Sequence, residues 1–388
     1  VAQKVESKEE RPLQSYSLKS FLAVNTTNTR TATPDGCFYN CENCQPIGAA
    51  NAHSIFDIST LLQAYGAALV YYDRSCNIAN VEYLITATTT GKLFAYNVAT
   101  NTKTEIDGGV VLSGTGTRII QWQNSNVLII DSTGYYQWNG TGNIAAITGT
   151  GAPSFGSSIE VYQDRVWIIQ GRILYYSAPD SFSDFTTTDG GGFSVLVDPI
   201  LRSLVIQLHA TNGYLYIFGL GSVQALSDVY VPTGASPPTP NFTLLPLTGI
   251  VGTDQPYSIC DYGRLVLFAN RYGVWSIIGT DVSSISSFDP NSSYNSAIDG
   301  TWQYADFSQP VSAGQFISNG LLCAGFLMKR KGDPIFGSDT IIAIYQGNAA
   351  GGKWWSANWG AITRISPSFV NNAPALFAYI GNNLFQLF

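Results

Sequence analysis

Glutamate stops at Glu160: from residue 161 to Phe388 the chain contains none. Glutamate is a favoured residue on the exposed face of helices, so a stretch of this length without it is poor material for helices. Met328 is the only methionine, and charged residues make up 12% of the chain, about half the roughly 25% of an ordinary globular protein. Gly, Ser, Thr and Asn take the place of the missing charge. Between them stand Val, Ile, Tyr, Phe and Trp, which fit a pleated surface. The expected fold class is all-β.

From about residue 68 one theme returns: an alternating strand, a Gly, Asn or Asp turn, then an aromatic-rich strand. VEYLITATTTGKLFAYNV (81–98) turns at Thr90-Gly91. TRIIQWQNSNVLIIDSTGYYQWNG (117–140) reads as three strands, as does IEVYQDRVWIIQGRILYYS (159–177). HATNGYLYIFGLGSVQALS (209–227) turns at Asn212-Gly213 and YGRLVLFANRYGVWSIIG (262–279) at Asn270 to Gly273, and further hairpins follow to the end. The unit recurs at roughly 40–60 residues, the spacing of four-stranded propeller blades. This predicts a β-propeller of about six or seven blades over residues 51–388, preceded by an extended arm at 1–50. Runs such as LVLFA are apolar on both faces, as expected where a sheet is packed between sheets. Two stacked β-sandwiches are the alternative. HSIFDISTLLQAYG (53–66) is the best helix candidate, and the proline-rich GASPPTPNFTLLPLTG (234–249) is expected to project as a loop. NNLFQLF (382–388) reads as a strand with no closing turn, leaving open a continuation past Phe388; the first residue is Val1, so an initiator Met is expected to have been removed or left out.

The net charge of −7 argues against a surface that grips phosphate backbones, which needs clustered Lys and Arg. No apolar stretch approaches a membrane helix. The six cysteines are too sparse for a secreted disulfide scaffold and are expected to be mostly reduced. Cys37, Cys41 and Cys44 have the spacing of a radical-enzyme iron–sulfur loop, but the βα alternation of such enzymes is missing and Asn43 stands where an aromatic residue usually precedes the last thiol. Zinc would lack a fourth ligand unless His53 supplied it. Gly347-x4-Gly352-Lys353 resembles a phosphate loop, yet Trp354 replaces the magnesium-ligating hydroxyl and the segment joins strand to strand. With only His53 and His209, a Ser–His–Asp triad has little raw material, and His209 reads as structural. A polysaccharide-cleaving propeller would have to draw its carboxylates from residues such as Asp131, Asp164, Asp228, Asp261 and Asp281, most of them at turns, where Asp bonds the backbone. Trp354, Trp355 and Trp359 could stack on sugars but suit a core as well. No catalytic, cofactor or metal residue is therefore expected.

Two stretches resemble a known family, the β-propeller hub, nozzle and stabilisation proteins of short-tailed bacteriophages. In the arm, LKSFLAVNTTNTRTATPDGCFYNCENCQPIG (18–48) is similar to their opening phrase through Asn25 to Arg30, Pro34, Asp35-Gly36, Glu42-Asn43 and Pro46 to Gly48. In the blades, DRVWIIQGRILYYSAPDSFSDF (164–185) resembles their Asp-Arg, Gly, Tyr-Ser, Pro-Asp unit, and NGYLYIFGLGSVQAL (212–226) with residues 248–279 resembles the adjoining pair and its Gly-Arg, Tyr-Gly-Val-Trp hairpin. The resemblance implies a structural component of a phage tail, assembled in the host cytoplasm and carried in the virion. It implies a homo-oligomeric ring, a hexamer, that touches adaptor or portal and other tail proteins and encloses double-stranded DNA without reading its sequence. The alternative functions are a receptor- or glycan-binding propeller and a polysaccharide-cleaving one.

Overall fold

The computed structural model describes residues 23–26, 37–39, 41–47, 51–55, 61–66, 69–114, 116–196, 204–287, 297–332, 339–348 and 351–387. They form seven four-stranded antiparallel sheets, six of them built in chain order from an inner to an outer strand. Blade 1 runs through Val70–Ile78, Val81–Thr88, Leu93–Asn97 and Thr102–Glu105, and blade 2 through Arg118–Trp122, Asn126–Ile130, Tyr135–Trp138 and Ala145–Ala146. Blade 3 comprises Ser158–Tyr162, Arg165–Gln170, Ile173–Tyr176 and Gly192–Val195; blade 4 comprises Val205–Thr211, Tyr214–Gly219, Val223–Tyr230 and Asn241–Thr248. Blade 5 holds Cys260–Tyr262, Leu265–Asn270, Gly273–Ile278 and Asp281–Ser284; blade 6 holds Ser312–Ser318, Leu321–Lys329, Thr340–Asn348 and Gly351–Ala357. Blade 7 takes Ile362–Val370, Ala373–Ile380 and Asn383–Gln386 from the end of the chain, and its outer strand, Leu61–Ala64, from the beginning. The fold is a seven-bladed β-propeller.

The local chemistry explains the turns. The hairpins between inner and second strands use paired left-handed residues: Asn212 and Gly213 at φ 52° and 82°, Asn319 and Gly320 at 50° and 74°, Asn371 and Asn372 at 51° and 62°. Such pairs form the tight turn whose twist matches flanking strands, and Asn and Gly tolerate it best. The cores lie between blades rather than inside one sandwich. Phe218 and Val223 of blade 4 meet Val266, Phe268 and Ile277 of blade 5; Phe316, Ile342 and Trp355 of blade 6 meet Ile365 and Leu376 of blade 7. Tyrosine hydroxyls tie successive seams from blade 3 to blade 6: Tyr162 donates to Gly213 O at 2.6 Å, Tyr216 to Gly279 O at 2.9 Å and Tyr262 to Leu322 O at 2.9 Å. Inner strands of blades 7 and 1 are neighbours, so the ring closes and the stacked-sandwich arrangement is excluded.

Two expectations are corrected. The described part of 53–66 is strand, not helix: Asn51–Ser54 pairs with Cys44–Ile47, and Leu61–Ala64 pairs with Asn383–Gln386. An open sheet edge far away in sequence outweighs the local apolar spacing. In 234–249, Asn241–Thr248 is the outer strand of blade 4, and Pro246 is accommodated because an outer edge strand does not need every N–H; only the part before Asn241 is loop.

The described pieces of the arm lie against the protein's own blades 5 and 6. Ala23–Val24 pairs in parallel with Cys37–Phe38, and Asn25 bridges to Ala297. Glu42 bridges to Ser356 on the outer strand of blade 6 and its Oε1 receives Arg330 Nη2 at 3.2 Å. Gln45, fully buried, exchanges bonds with Gln346, Ser318 and Asn319.

Candidate functional site

Inner strands of a propeller point alternate side chains at the ring axis, and here those side chains are large and charged. At the seam of blades 7 and 1, Arg364 Nε donates to Asp73 Oδ1 at 2.7 Å. Arg74 of blade 1 reaches Glu160 of blade 3, Nη2 to Oε2 at 4.0 Å. His209 Nε2 of blade 4 meets Asp261 Oδ1 of blade 5 at 3.0 Å, and Arg118 of blade 2 donates to Gln207 Oε1 of blade 4 at 3.2 Å.

Tyr257 stands at the centre of this set. It belongs to the short turn Pro256–Ser258 that leads into blade 5. Its ring lies 5.0 Å from the Arg118 guanidinium carbon and 4.6 Å from that of Arg364, with Tyr71 edge-on at 5.6 Å. Arg118 Nη1 donates to its hydroxyl at 3.2 Å. Burial pushes the phenol well above its usual value against the pull of both guanidinia, so it stays protonated. Cations packed against an aromatic ring are stabilising when desolvated. Tyr257 thus contacts blades 1, 2 and 7 across the ring and borders two cavities. One, of about 680 Å³, includes Tyr71, Arg118, Leu204 and Asp254 at the end where inner strands begin. The other, of about 270 Å³, includes Asp73, Arg74, His209, Asp261, Gln315 and Ser366. The axial channel is plugged between them.

Of the five candidate aspartates, the structure brings only Asp261 to the channel. Burial raises its carboxyl, but hydrogen bonds from His209 and Thr211 outweigh that and hold it below the usual range. Asp131 is buried in blade 2 as a clamp, accepting from Ser113 N at 2.6 Å, Thr117 Oγ1 at 3.0 Å and Thr133 N at 2.5 Å. Asp164 is exposed at a turn and Asp281 at the start of an outer strand, while Asp228 is exposed within Val223–Tyr230, where the register with the outer strand shifts. Asp73 and Asp261 line one cavity and Glu160 faces its Arg74, and each of the three carboxylates faces a cationic or imidazole partner. Glycoside hydrolysis needs one carboxyl to keep its proton, and Asp261 is shifted the opposite way. Asp73 and Glu160 escaped the sequence reading because neither lies at a turn; their position on inner strands was the available signal. His209, read from the sequence as structural, lines the same cavity and bonds to Asp261.

The remaining motifs fall elsewhere. Gly347 and Gly352 face each other in one antiparallel hairpin of blade 6. Trp354 and Trp355 are buried, with Trp354 Nε1 donating to Ile285 O at 2.8 Å. Cys37 and Cys44 sit on separate arm strands. Burial, together with Cys44 and Glu42, pushes the Cys41 thiol up to about 12, which disfavours the thiolate a metal requires. His53 is exposed. Among the described residues no group of three His, Cys, Asp or Glu side chains is placed to hold a metal ion.

These features define a seven-bladed propeller with a plugged, charge-paired axis. No protein-family profile and no curated protein sequence matches the chain. Solved structures share the architecture. The extracellular domain of a hybrid two-component system from B. thetaiotaomicron superposes with a TM-score of 0.51 at 11% identity, over 86% of this chain and 40% of that one. BBS1N, solved in complex with ARL6DN, gives a TM-score of 0.50 at 9% identity over 85% of this chain and 95% of that one. At such identities the likeness is one of fold.

Proposed function

We propose that this propeller is a non-catalytic structural component of a short-tailed phage tail, located in the virion. Copies of it form a ring, a hexamer, that joins adaptor or portal and neighbouring tail proteins. The observation that carries this reading is what the family-like phrases do in the fold. Glu42, Asn43 and Gln45, from the arm phrase, are spent on holding blade 6: Asn43 Nδ2 donates to Asn358 O at 3.1 Å and Asn358 N returns a bond to Asn43 Oδ1 at 2.8 Å. In the Asp-Arg…Pro-Asp unit, Arg165 Nη1 donates to Ser177 O at 2.6 Å and Gly190 O at 2.5 Å, and Asp180 N to Asp164 O at 2.8 Å. These bonds support a structural role for the residues that resemble the family's phrases. Because Tyr257 closes each propeller's own axis, DNA would pass through the lumen of the ring of copies. The mild net negative charge suits a wall along which a duplex slides.

Native mass spectrometry and negative-stain imaging of the full chain test the proposal. Closed rings are the expected result, formed by the chain alone or on addition of tail proteins. A species that stays monomeric at micromolar concentration with and without those partners would overturn it.

A further inference from the structure

The larger axial cavity, about 680 Å³, has Arg118 in its wall, and its size falls within the roughly 300–1,000 Å³ of ordinary ligand sites. Arg118 is 8% exposed. Its Nε donates to Gln207 Oε1 at 3.2 Å, and its Nη1 to Thr117 O at 2.9 Å and to the Tyr257 hydroxyl at 3.2 Å. All three acceptors are neutral, and none of these bonds uses Nη2. The neighbouring axial arginines differ, for Arg364 has Asp73 and Arg74 has Glu160. A cation held largely out of water without a counter-charge is costly, so this wall favours an anion. Asp254, the carboxylate among the lining residues, pairs instead with Arg271 Nε at 3.2 Å. Most of the remaining wall is apolar, with Tyr71, Leu204, Val205, Phe307 and Pro310. The anion that suits it therefore carries an apolar body.

The surroundings set the size of that body. Connections into the inner strands, and turns between second and third strands, all lie at this end of the antiparallel blades. On blades 2 to 5 they expose Val111, Phe155, Leu220, Ile250 and Tyr272, the last two 90% and 82% accessible. Exposed apolar side chains gathered at one face mark an interaction surface. A small free acid would leave them in water, whereas a polypeptide covers them while one carboxylate reaches Arg118.

We infer that this end of the propeller docks a partner protein through an acidic residue flanked by apolar side chains. The carboxylate pairs with Arg118, a charge-assisted contact, and its apolar neighbours lie over Leu204 and Phe307. The docking surface goes beyond the proposed structural role and does not depend on copies forming a ring.

A display library of random twelve-residue peptides, selected on the full chain, supplies the probe, and calorimetry on the selected peptides, synthesised with blocked ends, reads affinity. Selected peptides are expected to carry Asp or Glu between Leu, Phe or Tyr and to bind in the micromolar range. Changing that acid to its amide should weaken binding roughly tenfold or more. Arg118→Gln and Leu204→Asp should do the same; Leu204 is exposed, so its variant keeps the fold even where Arg118→Gln does not. Phenylpropionate, a free carboxylate of the same chemistry, should bind more weakly than the peptides. A selection without binders, binding indifferent to the acid-to-amide change, binding unchanged in every folded variant, or tighter binding of phenylpropionate than of any peptide would each overturn the inference.

Discussion

Arg364 Nε lies 2.7 Å from Asp73 Oδ1, joining the last and first inner strands where the ring closes. The same guanidinium donates to Tyr71 O at 2.7 Å and covers the Tyr257 ring. Seam and plug are therefore one construction. Replacing Asp73 by Asn leaves a buried guanidinium uncompensated, a change that costs about 3–5 kcal/mol. Asp73→Asn is expected to lower the urea midpoint accordingly, and the double variant Asp73→Asn/Arg364→Met to recover part of the loss, because it buries no orphaned charge.

The second fastening of the ring is the pairing of Leu61–Ala64 with Asn383–Gln386. Leu384 is fully buried there, against Tyr65, Leu84 and Tyr379. Leu384→Ala should destabilise by about 2–5 kcal/mol and speed proteolysis around residues 61–66, measured by mass spectrometry of timed digests.

Glu82 gives the protein an alkaline-side weakness. Burial raises its carboxyl to about 7, only partly countered by a hydrogen bond from Asn77, while Ser75 Oγ donates to its other oxygen. A carboxyl raised on folding favours the folded state fully below its unfolded value near 4.5. That contribution is lost as pH climbs through about 7. Thermal midpoints should fall between pH 5 and 8 in the wild type. Glu82→Gln should flatten the profile and be the more stable protein at pH 8.

Thiol accessibility should divide the cysteines. Cys76, Cys260 and Cys323 are buried in the blades; burial pushes Cys76 and Cys323 up to about 12 and Cys260 higher still. Native protein titrated with Ellman's reagent at pH 8 should leave these three unmodified, and denaturant should expose all six.

Strand and turn were legible wherever the signal was local. Asn212-Gly213 and Asn270 to Gly273 announce their hairpins because the turn residues themselves carry the backbone geometry. The short outer strands Ala145–Ala146, Thr102–Glu105 and Asp281–Ser284 were not legible: an edge strand buries little, so its sequence carries no alternation. Leu61–Ala64 was misread for a related reason, since its partner lies more than three hundred residues away. The axis was hidden too. Nothing in SLVIQLHA or SICDYG says that His209 and Asp261 will meet, and Tyr257 is one of 22 tyrosines until the ring brings Arg118 and Arg364 over it.

The arm offers the sharpest local test. Gln45 Nε2 donates to Gln346 Oε1 at 2.9 Å, and its Oε1 accepts from Ser318 Oγ at 2.8 Å and Asn319 Nδ2 at 2.7 Å, all on blade 6. Gln45→Leu leaves those partners unmet in a dry setting, at about 1–3 kcal/mol. Removing both ends of a buried bond is milder than removing one, so Gln45→Leu/Gln346→Leu should be less destabilised than Gln45→Leu alone. Gln45 is on the arm hairpin rather than in a blade sheet, so its loss should act locally. Amide exchange should quicken at Cys44–Ile47 and Asn51–Ser54 while the inner strands keep their protection; uniform acceleration throughout the blades would instead make the arm hairpin an integral part of the propeller's cooperative unit.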